Sequence, residues 1–542
     1  MSVLNRRDFM KIVTAGSTGF LGGISTLWGP RPAEAQTARA DGDTSRFPLL
    51  MPDDFEELNL VSWRVEEGEP DAANPLVQPG RPWDQGGVMS HGTVLRDPLD
   101  GKVKLYNIST PAEEAGGVGY RHELERRLTY FESEDGVHFE RPELPYVSWG
   151  EHEKTNILLD HPSGGASTYA NVFVDPSEEE YPYEMFIKRR PDYKCPSKTV
   201  EGHPPPIGKS GNRATYRYRS KNGTNWEVIQ GPIYATPSDV SFVYKRHDGG
   251  YIVYYKSGVQ PNENLRVIPY DNNGANTLRS VFAKTSEDGV TWENNTLVMF
   301  PDWRDPNHMQ FMELNPRQVP GGYISMVTVY DAITQRIYLQ MAVSRDGLKW
   351  WTVDRRPSLD NAPLGDYGGG MIWQMKNPIV EGNQLHVYYA GTEGIHGEIF
   401  DTRYRPRKEA RFEDTIGVDT PTLPFSAAIC RASWRFDRLY ALVSSAGGPV
   451  EGRAVTRSQD CNGKQLRVNV YTKSPGEFSA ELVAKDGSAI PGYTKEDCQP
   501  VTGDHGDVKI TWQGGDTAPA RAEKVRFYLR RAYLYGFDWK PV

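Results

Sequence analysis

Cysteine is scarce, with four in 542 residues (Cys195, Cys430, Cys461 and Cys498) and no C-x-x-C pair. That excludes a disulfide-stapled scaffold and a cysteine-built zinc or redox centre. Cys461 and Cys498 both lie beside turn-like sequence, and two readings stay open for them: a pair, or two buried thiols. No apolar run in the body of the chain reaches the roughly 20 residues a membrane span needs, which excludes a helical anchor there. Basic blocks are also missing. Net charge is −9, from 62 Lys and Arg against 71 Asp and Glu, so nucleic acid is not the expected partner, although Lys188-Arg189-Arg190 is a local basic spot. G-x-S-x-G, P-loop and G-x-G-x-x-G contexts are absent, and so are the nucleophile elbow, the nucleotide cradle and the dinucleotide fold they mark. No spacing suits zinc. No cofactor is required and no metal residue is expected, with a central structural cation the one inorganic partner left open. Helical periodicity is nearly absent.

What remains is β-structure. Apolar residues make up 38% and aromatics 11%, and Tyr (29) exceeds Phe (19). Tyrosine excess fits half-buried strands, and it also fits sugar clefts, where a flat ring meets C–H groups and the hydroxyl stays wet. The length predicts more than one domain. Residues 1–35 read as an address: Asn5-Arg6-Arg7-Asp8-Phe9-Met10-Lys11 has twin-arginine form, a weakly apolar stretch follows, and Ala33-Glu34-Ala35 offers a cleavage site. The expected location is periplasmic or secreted.

One phrase recurs four times. Ser133-Glu134-Asp135-Gly136-Val137-His138-Phe139 has counterparts beginning at Ser220, Ser286 and Ser344, in the pattern S-x-[DN]-G-x-x-[WF]. Asp-Gly and Asn-Gly are strong hairpin signals, and the aromatic begins the return strand, placed to pack between sheets. Between these phrases lie five apolar hairpins: 92–106, 170–187, 239–255, 309–327 and 370–389. Apolar runs of this kind read as strands buried on both faces. The predicted fold is all-β, a five-bladed β-propeller followed by a β-sandwich. The expected divisions are a lead-in at 36–83 packing on the propeller, the propeller at 84–408 and the sandwich at 409–542.

In such a ring the starts of the inner strands converge on one mouth. Glycosidic cleavage needs two carboxyl groups there with separated pKa values. Asp239 opens a strongly apolar strand. Asp366 precedes the fifth inner strand in a glycine-rich approach, Glu313 lies inside the fourth, and Asp84 precedes the first. Each is a candidate catalytic acid, weighed against a turn cap or, for Glu313, a pairing with Arg317. His308, His396 and Glu393 are candidate substrate-binding residues on the rim, with Trp373 and Tyr169 as aromatic faces. Asp97, Asp175, Asp248 and the acids of the repeated phrases read as turn residues.

These features resemble the five-bladed β-propeller glycoside hydrolases, the broad β-fructosidase and arabinanase-like superfamily, and within it exported members with a C-terminal β-sandwich. The carriers are the four repeated phrases, Ser238-Asp239-Val240 and Tyr388-Tyr389-Ala390-Gly391. The resemblance covers about residues 84–400. It implies three funnel acids: a base or nucleophile, an acid that modulates pKa, and a proton donor. Asp239 takes the strand-opening position, Asp84 or Asp366 a second, and Glu313 or Glu393 that of the donor. The W-x-N-D-P-N-G phrase of β-fructosidases is missing, and Ser90-His91 stands where arabinanase-like members carry an Asp. The expected activity is exo-cleavage of a terminal sugar from plant or algal oligo- or polysaccharide. The alternatives are a non-catalytic glycan-binding propeller, and a sialidase-like or lyase propeller with an arginine cluster or a Tyr or His base at its centre.

Overall fold

The computed structural model describes residues 47–110, 127–159, 168–189, 214–233, 236, 238, 240–246, 249–259, 278–396, 427–444 and 450–542. The address at 1–35, Asp239, Asp248 and Cys195 lie outside them. Apart from one 3-10 turn (Pro52–Asp54), the elements that form among the described residues are β-strands.

Five antiparallel arrays follow one another in sequence. Each begins with a largely buried strand: Gly87–Arg96, Thr168–Val174, Ser241–Lys245, Met309–Val319 and Met371–Gln374. These five are called the first to fifth inner strands. The first three open separate four-stranded sheets, whereas the fourth and fifth share a larger sheet through one parallel pairing, Ile337 with Met371. The predicted hairpins all fall on these strands and their partners.

The inner strands are stitched side to side. Val172 N–H donates to Thr93 Oγ1 (3.0 Å), and Val243 N–H donates to Asn171 Oδ1 (2.9 Å). The Tyr244 hydroxyl donates to Asn315 Oδ1 (2.8 Å), and Asn377 N–H donates to the same oxygen (3.1 Å). Lys376 then returns to the first strand, donating to Gly92 O (2.9 Å) and accepting from Val94 N–H (3.0 Å). Buried backbone groups and short polar side chains thus satisfy one another across sheet boundaries, as burial requires.

The four repeated phrases form one turn. In each, the serine Oγ accepts from the glycine N–H at 2.9 to 3.0 Å. The Asp or Asn Oδ1 accepts from the next two N–H groups, as Asp135 does from Val137 and His138 at 2.8 Å. Gly136, Gly223, Gly289 and Gly347 all hold φ between 72° and 76°, which is why glycine sits there. Each aromatic meets a ring of another array edge-on. Phe139 lies 6.2 Å from Tyr388, Trp226 lies 6.1 Å from Tyr106, Trp292 lies 6.5 Å from Phe186, and Trp350 lies 6.3 Å from Tyr254.

Two boundaries differ from expectation. Ala427–Arg435 pairs along the whole of Gln384–Thr392, so the fifth array runs past residue 409. Glu69–Pro70 adds to that strand's far edge, placing an N-terminal piece on the last array. Phe55–Asn59 and Val61–Val65, from the expected lead-in, join the C-terminal sheet instead. That sheet is one connected seven-stranded unit. Its spine is Lys464–Val483 paired with Lys524–Pro541, with a register break between Thr472 and Glu477 where Pro475 and Gly476 sit. Cys461 and Cys498 are free buried thiols.

Candidate functional site

Three inner strands lose register at the same level. The breaks fall between Met89 and Thr93, between Thr168 and Asn171, and between Phe311 and Glu313. A bulge re-aims the side chain it carries. At the first two, His91 (φ 52°) and Tyr169 (φ 54°) adopt the left-handed region. That conformation costs a non-glycine residue on the order of 1 kcal/mol and persists where surrounding packing imposes it.

The re-aimed side chains meet. The His91 and Tyr169 rings lie 4.6 Å apart, and Trp373 of the fifth strand stands edge-on to His91 at 5.5 Å. The Tyr169 hydroxyl donates to Glu313 Oε1 (3.0 Å), across 144 residues of chain. Glu313 Oε2 accepts from Thr328 Oγ1 (2.9 Å), which in turn accepts from Gln374 Nε2 (2.9 Å). Glu313 is 2% exposed, so its carboxyl group lies deep in the structure. Trp373 Nε1 and Ser90 Oγ are buried here with no hydrogen-bond partner among the described residues. A buried donor left unmet costs about 1–3 kcal/mol, and a hydroxyl-rich ligand would meet it.

The ring contacts continue from Trp373 to His396 (6.4 Å), to Tyr330 (4.8 Å from His396), and to Arg279, whose guanidinium lies 4.8 Å from the Tyr330 ring centre. Gln310 Oε1 accepts from Arg279 N–H (3.3 Å). Glu393 follows the strand Gln384–Thr392. Burial, reinforced by the nearby Asp366 carboxylate, holds its carboxyl above the usual range and favours the protonated form. Asp366 is exposed in the turn before the fifth strand, where Gly369 N–H donates to its carbonyl (2.8 Å). His308 lies before the fourth strand with Nε2 3.6 Å from Asp331 Oδ1.

Lys376 Nζ lies 4.0 Å from the Phe173 ring centre and 5.1 Å from that of Tyr244. Burial, with the charge of Lys245 acting in the same direction, lowers its ammonium to about 7.

The structure therefore gathers Tyr169, Glu313, Trp373 and His396 into one group, with Glu393 and Asp366 beside one another on the rim. It does not bring Asp84 there. Asp84 is fully buried and accepts from Gly80 and Arg81 N–H (2.7 Å each) while Arg141 Nε lies 3.3 Å away, so its carboxylate holds the loop before the first strand. Glu313 takes hydroxyl partners, whereas Arg317 Nη1 donates to Pro378 O. Asp97 pairs with Lys104 (2.5 Å) and accepts from the Tyr183 hydroxyl (2.6 Å) at the far end of its strand. Sequence reasoning missed His91, Thr328, Gln374, Tyr330 and Arg279. The available signal was polar residues inside otherwise apolar strands. Among the described residues no cluster of three or more His, Cys, Asp or Glu is arranged to hold a metal ion.

No protein-family model matches the chain, and no curated protein matches it. Among solved structures it is similar to a β-1,2-mannobiose phosphorylase from Listeria innocua, at 14% identity and TM-score 0.42, covering 69% of this chain and 98% of that one. It is also similar to a GH130-family glycoside hydrolase that targets β-1,2 mannosidic linkages in Candida mannan, at 17% identity and TM-score 0.40, covering 65% and 95%. A thermostable family-43 glycoside hydrolase is similar at 14% identity and TM-score 0.38, covering 58% of this chain and 87% of that one.

Proposed function

We propose that this chain is an exported glycoside hydrolase built on a five-bladed β-propeller with a C-terminal β-sandwich, acting on plant or algal glycans. The observation that carries the reading is the Tyr169–Glu313 pair: a buried carboxyl at the level where three inner strands break register, ringed by His91, Trp373 and His396. Strain and a buried carboxyl group at one mouth mark a site rather than a core. The circuit of hydrogen bonds between inner strands supports the propeller.

Three carboxyl roles are distributed as follows. Asp239, two residues ahead of the third inner strand in sequence, is the base or nucleophile. Glu393, held above the usual carboxylate range, is the proton donor, because it keeps its proton at a pH where an ordinary glutamate has lost it. Glu313 orients the Tyr169 hydroxyl and sets the field at the sugar. Trp373 and the histidine rings form the face on which a terminal sugar rests, and the Trp373 indole N–H meets one of its hydroxyls. The twin-arginine segment delivers the folded enzyme to the periplasm or beyond.

The test is turnover of aryl-glycosides and of marine and plant oligosaccharides by the mature chain. Asp239→Asn abolishes hydrolysis without unfolding the protein. Glu393→Gln removes the high-pH fall of kcat/KM and spares substrates with strongly acidic phenol leaving groups, which need no proton. Unchanged turnover in Asp239→Asn would falsify the assignment.

A second reading has its own support. The His91–Tyr169 ring pair and the buried Arg279 beside Tyr330 suit a lyase that takes a proton beside a uronate carboxylate. An unsaturated sugar end, detected by its ultraviolet absorbance, would select that chemistry over hydrolysis.

A further inference from the structure

A pocket of about 250 Å³ opens on the C-terminal sheet beside Arg356, lined by Ser62, Arg64, Arg356, Lys473, Arg531 and Tyr533 among others. Every charged residue lining it is cationic. The rest of this sheet matches its cations. Arg453 pairs with Glu57, Lys495 with Glu451, Arg467 with Asp507 and Lys509 with Asp516. In the pocket the matching stops. Arg356 Nε has Asp354 (2.7 Å), but Arg531 reaches only the Ser474 carbonyl (3.4 Å). Arg64 and Lys473 make no hydrogen bond or ion pair among the described residues, and Arg64 Nε is buried without a partner. Both instead lie over the Tyr533 ring, Arg64 Cζ at 6.0 Å and Lys473 Nζ at 5.3 Å from its centre.

Tyr533 is part of a row. Its register partner Tyr471 lies 5.7 Å away, and Tyr535 stacks on it at 6.3 Å with rings 17° apart. Arg531 sits at the register break of the long strands with φ 48°, where a bulge turns its side chain away from the regular alternation. Unmatched cations beside a row of half-buried rings form a surface that repels itself until an anion arrives. It also offers flat faces for sugar C–H groups.

We propose that this pocket binds an acidic polysaccharide segment, with a sugar ring against Tyr533 and its carboxylate or sulfate ester between Arg64, Lys473 and Arg531. The chain's net charge of −9 favours this local recognition over a nucleic acid, whose long phosphate backbone would meet acidic surface outside the pocket. The site stands independently of the glycosidase reading, and it tethers the protein to its polymer whatever the mouth does.

The test is binding of the full mature chain, by calorimetry and affinity electrophoresis, to oligogalacturonate, a sulfated galactan, their neutral counterparts and single-stranded DNA. Charged glycans bind, neutral ones do not, and affinity falls with salt. Comparing oligogalacturonate with sulfated galactan identifies which anion is preferred. R64Q/K473Q weakens binding about tenfold or more and leaves the melting temperature within a degree or two of the parent, because neither side chain has a hydrogen bond or ion pair with the protein to lose. Y533A weakens it similarly. The single variants R64Q and K473Q keep the test intact should the double variant fold poorly. Glu313→Gln binds as the parent does, which separates this site from the mouth. No binding to either charged glycan, equal binding of neutral ones, undiminished binding by R64Q/K473Q, or tighter binding of DNA each overturns the proposal.

Discussion

The repeated outer turns and the mouth of the inner strands use sequence in opposite ways. Four turns spend the same residues on the same hydrogen bonds: a serine to the glycine N–H, an Asp or Asn to the next two. At the site, the inner strands carry His91, Tyr169, Glu313 and Trp373, with no two alike. The turns do one job, joining neighbouring sheets by an edge-on ring contact worth about 0.5–1.5 kcal/mol each, so each position accepts one solution. The mouth has a different task at each position, and it carries strain and a buried carboxyl group that the turns lack.

The largest effect expected from breaking this contrast is at the mouth. Glu313→Gln keeps a side chain of the same shape against Tyr169 and Thr328 while replacing the carboxyl group with an amide. Turnover falls at least about a hundredfold, with melting within a degree or two of the parent. Steady-state kinetics beside a thermal melt decides it. Equal loss of turnover and stability would make Glu313 a core residue.

Next is Lys376, which belongs to both regions: its backbone closes the circuit and its ammonium lies between two rings. The lowering from 10.5 to about 7 corresponds to on the order of 4–5 kcal/mol, and a cation–π attraction of about 2 kcal/mol does not cancel it. The sign follows from proton counting. The unfolded lysine keeps its proton to about pH 10, and the folded one releases it near 7, so the unfolded state binds more protons between those values and stability rises with pH across that window. Lys376→Met raises stability at pH 7 by a few kcal/mol and flattens this rise. Denaturant melts at pH 6, 7.5 and 9 read both, and a variant as pH-dependent as the parent would refute the assignment.

At the turns the effect is smaller and leaves chemistry alone. A Cβ at Gly223 would lie 2.7 Å from the Tyr106 hydroxyl and 2.9 Å from the Tyr183 ring, at φ 76°. Gly223→Ala costs about 2 kcal/mol through strain and overpacking, while turnover per folded molecule is unchanged. Lost turnover in the folded fraction would mean that the turns shape the mouth.

The same contrast explains what could be read in advance. The turns are local: Ser, Asp and Gly within four residues fix their own hydrogen bonds, so the phrase in the sequence is the turn in the fold. The five hairpins were legible for the same reason. His91 and Tyr169 were not readable as partners, because each is aimed by a bulge that depends on the adjacent strand, and Glu313 meets Tyr169 only when the second and fourth inner strands come together. Asp84 and Asp366 look alike in sequence, each beside glycines ahead of an apolar strand. One is consumed by Gly80, Arg81 and Arg141, while the other stays exposed. The pairing of Phe55–Asn59 and Val61–Val65 with the C-terminal sheet, and of Glu69–Pro70 with the fifth array, left no local trace, since those edges are supplied from the other end of the chain.

The smallest effect sharpens the comparison most. Ser286→Ala removes the acceptor for Gly289 N–H (2.9 Å), and Ser344→Ala does the same for Gly347 (2.9 Å). Each costs about 1 kcal/mol, the net worth of one such bond. The two turns sit in consecutive arrays, and Trp350 of the later one packs on Tyr254 of the earlier array at 6.3 Å. If each turn is a local device, the two costs add within about 0.5 kcal/mol in the double variant. A larger departure would show that loosening one turn shifts the ring contact of the next. The outer turns would then form a coupled belt, and identical residues would recur because each turn must match its neighbours as well as close its own hairpin.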